Sequence, residues 1–198
     1  MNKKLVQESI SLLNFEKTKE FSFFCLDRII DLYADVDLNI DISKADKNIQ
    51  KGTAFLTLKT IYQFLKERNN PSVVEIKNRI NICYPLILDV EDIFDNDIPN
   101  TVASLVAQGL DYLLNFELEK NEDFIYNCSE NNLEILNQLN SEYFFKVMNG
   151  DEEDLDDFLD LIFENEYKIQ LQALDLIKHN KKDELNILAG NTIISKPE

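Results

Sequence analysis

Residues 152–181 read EEDLDDFLDLIFENEYKIQLQALDLIKHNK, and the rhythm of that stretch decides the fold. Leu155, Phe158, Leu159, Ile162, Phe163, Ile169, Ala173, Leu174 and Ile177 recur at the three- and four-residue spacing that lines one face of an α-helix. A half-buried strand would alternate at every second residue instead. The spacing predicts one long helix over about Glu152–Lys181, with the acids from Asp151 to Asp157 on its first turns, where the helix dipole favours negative charge. A short helix to about Leu188 follows, then Gly190, and residues 191–198 are expected to be extended or disordered.

The same periodicity extends towards the N-terminus. Asn121 is placed to cap a helix reaching about Leu139, Ser141 to restart it through Met148, and Asn149-Gly150 to stop it. Pro99 stands where a helix opens, because first-turn amides lack partners. Val102, Leu105, Val106, Leu110, Leu113 and Leu114 then mark a central helix whose Ala103, Ala107 and Gly109 would let a neighbour come close. Asn69-Asn70-Pro71-Ser72 breaks the chain before a helix from Ser72 to Cys83, ahead of Pro85. Upstream, helices are predicted over about Asn2–Leu13, Glu16–Asp35 and Ser43–Arg68. The result is an all-α, compact bundle of about seven to nine helices, one domain over residues 1–190 with a tail at 191–198.

Composition agrees. Four Gly and four Pro in 198 residues are too few for the many turns of a sandwich or barrel. No apolar run is long enough to span a membrane, and the basic opening at Lys3-Lys4 leads into no apolar signal core. Cys25, Cys83 and Cys128 each sit in an apolar helical pattern, so buried, reduced thiols and a cytoplasmic address are expected. The net charge of −17, from 37 acids and 20 bases, repels phosphate backbones and anionic lipid, so neither direct nucleic-acid nor membrane binding is expected.

Several patterns suggest chemistry. Asp35, Asp37, Asn39, Asp41, Ser43 and Asp46 place oxygens at the first, third, fifth, seventh, ninth and twelfth positions of a calcium-binding EF-hand loop. Ile40 stands where the turn wants Gly, and Asp46 is shorter than the usual bidentate Glu. The alternative is a polar loop between helices. The runs Asp89–Asp97 and Asp151–Asp160, the latter with Glu152, Glu153 and Asp154, read either as solvated faces or as surfaces for a cation or basic partner. A di-iron bundle needs two Glu-x-x-His pairs, and His179 is the sole histidine. Gly52, Gly109, Gly150 and Gly190 are isolated, so no phosphate loop is present. No catalytic residue and no cofactor is assigned.

The helix Phe21-Ser-Phe-Phe-Cys25-Leu-Asp-Arg28-Ile-Ile-Asp-Leu-Tyr33, the opening Ile98-Pro99, the helix Phe158–Lys178 and the pair Gly190-Asn191 together resemble the YjaG-like bacterial family, a domain of unknown function. The order of segments is similar over most of the chain. Asp31-Leu32 stands where the family has a Pro-Asn pair, and Asn127–Asp157 aligns poorly. The resemblance implies a compact all-α fold with no established activity. It singles out Arg28 with Tyr33, either as a shared site on an exposed helix edge or as an arginine bridging a carboxylate beside a core tyrosine.

The leading expectation is a non-enzymatic protein-binding or regulatory module, with an immunity or inhibitor type as its narrower version, meeting a basic protein through Arg28, Tyr33, Asp151, Glu152, Glu153 and Asp154. The alternative is a divalent-metal or small-molecule binder using Asp35, Asp37, Asn39, Asp41 and Asp46 or an acidic cleft. A carboxylate-dependent hydrolase comes third. Homodimerisation through a residual apolar face is compatible with the pattern.

Overall fold

The computed structural model describes residues 2–34, 53–68, 70–87, 98–195 and 197, apart from the side chain of Glu152. Among them are eight α-helices and no strand: α1 (Asn2–Ser11), α2 (Phe15–Asp27), α3 (Ala54–Glu67), α4 (Val73–Cys83), α5 (Ile98–Glu119), α6 (Asp123–Lys146), α7 (Glu152–Lys178) and α8 (Lys182–Asn191). Two short 3-10 segments, Ile30–Tyr33 and Tyr84–Leu86, join them. The all-α bundle is as the periodicity requires. No described helix is long and apolar enough to cross a membrane.

The antiparallel hairpin of α5 and α6 is the most extensive pairing. α2 packs on α5, α6 and α7, while α1 lies against α7 and α6, and α4 against α5. Phe21, Cys25, Leu26, Leu58, Ile61, Val106, Leu110, Leu113, Cys128 and Ile135 are wholly or almost wholly buried between them. Gly109 permits one close approach: a Cβ there would stand 3.1 Å from Leu26 Cδ2, so a larger residue would require the Leu26 side chain to shift in a close-packed core.

Local chemistry explains most boundaries. Asn14 accepts a hydrogen bond from Lys17 N at 3.0 Å and starts α2. Ser72 and Glu75 form a reciprocal capping box at the start of α4. Asn149 takes φ 53° after α6, Gly150 N donates to Phe144 O at 3.0 Å, and a Cβ on Gly150 would overlap the Phe144 ring.

Several boundaries differ from expectation; the helix predicted over Ser43–Arg68 opens at Ala54 after the cap Thr53, and the expected cap Ser43 lies outside the described residues. The helix predicted to reach Asp35 ends at Asp27, because the Arg28 carbonyl is taken by Ile194 N at 3.0 Å and Leu32 N turns to Ile29 O instead. α6 runs through Ser141 unbroken: that hydroxyl donates to Asn137 Oδ1, one turn back, at 3.2 Å. α7 stops at Lys178 rather than Lys181, since Asn180 adopts φ 57° and Lys181 N bonds back to Leu176 O at 2.9 Å. α8 continues to Asn191, and Ile194 is only 5 % exposed, so the first part of the tail is anchored.

Candidate functional site

Arg28, at the broken end of α2, is buried beneath α7. Its guanidinium makes a fork with Glu166: Nη1 donates to Oε1 and Nη2 to Oε2, both at 2.6 Å, while Nε donates to Thr192 O at 2.8 Å. Each side chain of the pair is 2 % exposed. Gln170, one turn along α7, donates through Nε2 to Glu166 Oε1 at 3.0 Å and to Ser129 O at 3.1 Å. Phe24 lies 5.3 Å from the guanidinium carbon. Asn132 Nδ2 reaches Cys25 O at 3.3 Å. Three helices and the C-terminal segment therefore meet on one charged group.

This placement corrects the exposed-edge reading of Arg28 and Tyr33. Tyr33 is fully buried, its hydroxyl donating to Leu86 O at 3.3 Å. Arg28 faces a carboxylate in the interior, because the chain turns inward after Asp27 and α7 supplies the counter-charge. Neither group presents a surface of its own to a partner, Arg28 being 2 % and Tyr33 0 % exposed.

A second buried pair ties α2 to α5. Lys19 Nζ meets one oxygen of Glu117, and Lys120 Nζ lies 3.1 Å from the other. Lys120 also stands over the Phe15 ring at 3.6 Å, which in turn stacks on Phe116.

The remaining candidates lie at the start of α7. Asp151, Glu153 and Asp154 are exposed, as are Asp156, Asp157 and Asp160; Glu152 is the first residue of the helix. From Val147 to Phe163 the sequence holds seven carboxylates and no Lys, Arg or His. None of the six exposed acids is in an ion pair among the described residues. Asp151 has the backbone of an N-cap, yet its side chain caps nothing. Asp156, Asp157 and Asp160 lie beyond the first turn, outside the reach of the dipole. Glu153 with Asp157, Asp156 with Asp160, and Asp160 with Glu164 are like-charged pairs four residues apart, each a small cost to the isolated helix. Around this edge Phe145, Val147, Met148 and Leu161 are exposed apolar side chains, Leu161 at 71 %.

Asp35, Asp37, Asn39, Asp41 and Asp46 lie outside the described residues, as does the run Asp89–Asp97. Among the described residues no three His, Cys, Asp or Glu side chains converge as metal ligands. His179 is exposed at the end of α7, its Nδ1 2.8 Å from Asp175 O, while all three thiols are buried. Burial raises each thiol pKa, that of Cys128 to about 12. Ellman's reagent is therefore expected to leave the folded protein unlabelled over minutes and to titrate all three cysteines in denaturant. A thiol reacting at once in the native protein would contradict this packing.

No protein family, curated protein or solved structure matches this chain. Its function must be read from its own geometry. Sequence reading missed Glu166, Gln170, Lys19 and Glu117. A signal was present for two of them: Glu166 stands four after Ile162 and three before Ile169, and Glu117 three after Leu114. A carboxylate on a core stripe needs a buried partner.

Proposed function

We propose that this chain is a non-enzymatic binding module that engages a basic protein through the first turns of α7. The observation that carries this reading is the carboxylate edge, Asp151, Glu153, Asp154, Asp156, Asp157 and Asp160, in no ion pair among the described residues and with no cation in the sequence from Val147 to Phe163. Such an edge carries self-repulsion that Lys or Arg from a partner would relieve, and its field would steer that partner in. The buried Arg28–Glu166 pair ties the helix that presents it to the end of α2. The resemblance to the YjaG-like family bears on the architecture and assigns no activity.

A fluorescent Lys/Ser peptide is the direct probe. It is expected to bind at low salt and to weaken steeply as ionic strength rises. Joint substitution of Glu153→Gln, Asp154→Asn, Asp157→Asn and Asp160→Asn should weaken binding about tenfold or more, at least 1.4 kcal/mol. The control set Glu119→Gln, Glu122→Gln, Asp123→Asn and Asp183→Asn, all exposed elsewhere, removes the same formal charge. Equal losses from the two sets would mean non-specific attraction to an acidic protein and would overturn the reading.

A further inference from the structure

A groove of about 670 Å³ runs beside that acidic edge, between α6, α7 and the C-terminal segment. Its walls carry Leu136, Leu161, Ile162, Ile169 and Ile193, and its floor is the Arg28–Glu166 pair. Leu161 and Ile193 are 71 % and 58 % exposed, so both offer apolar surface to whatever enters. The floor offers no free charge, because Arg28 and Glu166 satisfy each other in a two-bond fork. A small ion would find no counter-charge there. Apolar side chains would find a matching wall.

The rim supplies the missing specification. Asp154, Asp157 and Glu164 lie seven before, four before and three after Leu161, so they share the exposed face of α7 that carries Leu161, next to the residues that line the groove. Lys168 is the one cation on that face, 4.0 Å from Glu164 at its far end. From Asp154 to Glu164 the acidic rim extends about 15 Å, the length of roughly three turns of a partner helix. A second copy of this chain would bring the same acids face to face, and like charges opposed across an interface are costly.

Building on the proposed binding reading, we infer that the groove receives a basic amphipathic helix of a partner protein. Apolar residues spaced three and four apart enter between Leu161 and Ile193, and flanking Lys or Arg pair with Asp154, Asp157 and Glu164.

The test compares two labelled peptides of about 18 residues, five turns if helical, with equal numbers of lysines: a Lys/Leu amphipathic helix and the Lys/Ser peptide. The Lys/Leu peptide is expected to bind the wild-type chain about tenfold more tightly or better. Leu161→Gln and Ile193→Gln should abolish that preference and leave Lys/Ser binding unchanged. Leu12→Gln, at a site 79 % exposed on the turn after α1, should change neither. Equal affinities for the two peptides, or an intact preference in Leu161→Gln, would overturn the inference while leaving the electrostatic reading in place. Failure of both peptides to bind at low salt would remove the reading itself. Self-association of the wild-type chain that Leu161→Gln dissociates would name a second copy as the occupant and overturn the inference as well.

Discussion

Arg28→Met is expected to lower folding stability by about 3–5 kcal/mol, because it leaves the Glu166 carboxylate buried without its counter-charge. A domain of this size has a total stability of only about 5–15 kcal/mol, so the variant should sit near its unfolding threshold. Glu166 would keep the Gln170 Nε2 donor at 3.0 Å, and a neutral amide does not replace a guanidinium fork. The same substitution frees the Thr192 carbonyl, to which Arg28 Nε donates, and loosens the segment that seats Ile194. The double variant Arg28→Met with Glu166→Leu removes both charges and should recover most of the loss, since apolar replacement of a whole buried pair is often close to neutral. Arg28→Lys should fall between, keeping the charge but not the two parallel bonds. Urea titration of the wild type, Arg28→Met, Glu166→Leu and the double variant, analysed by linear extrapolation, measures the coupling, with Arg28→Lys alongside. A loss under about 1 kcal/mol in Arg28→Met would show that the pair behaves like a surface salt bridge.

The second large effect belongs to Glu117. Glu117→Leu strands Lys19, whose side chain is 10 % exposed beside a Glu117 side chain at 4 %. A cost of about 3 kcal/mol is expected, at the low end for a broken buried pair. The reason is geometric: Lys19 borders a cleft shared with Lys17 and Lys66, and its long stem can swing the ammonium towards water. Lys120→Ala is the informative contrast. That lysine touches the same carboxylate but is 52 % exposed, so its removal should cost well under about 1 kcal/mol. If the two substitutions cost the same in urea titration, the Lys19 contact contributes nothing beyond an ordinary surface pair.

These two predictions also mark where sequence reading stopped. The Ser72 cap, the helix opening at Pro99 and the apolar stripe of α7 follow from interactions within a few residues, so periodicity and capping chemistry expose them. Ser72 indeed caps α4 through Glu75, and Pro99 lies in the first turn of α5. The end of α2 is different. Nothing near Asp27 in sequence stops a helix; the Arg28 carbonyl is claimed by Ile194 N, 166 positions later. A carboxylate partner for Arg28 beside a core Tyr33 is one of the two readings the sequence offers, but nothing in it points to Glu166, because that carboxylate lies 138 positions away. Long-range pairing leaves no periodic trace. The acidic edge of α7 was legible as composition, and the groove beside it was not, because three separate elements build its walls.

The bond from Arg28 to the Thr192 carbonyl spans 164 residues, and this has a consequence for the nascent chain. At a synthesis rate of about 5–20 residues per second, Arg28 joins the growing chain roughly 8–33 s before that carbonyl exists. Throughout that interval the N-terminal helices can collapse together only with an unmatched guanidinium at their junction. The finished arrangement therefore has to assemble late, once the segment around Thr192 and Ile194 has been made. Premature termination anywhere upstream of Glu166 would release a fragment with an unsatisfied cation where the core should be, the kind of product that cellular proteases remove.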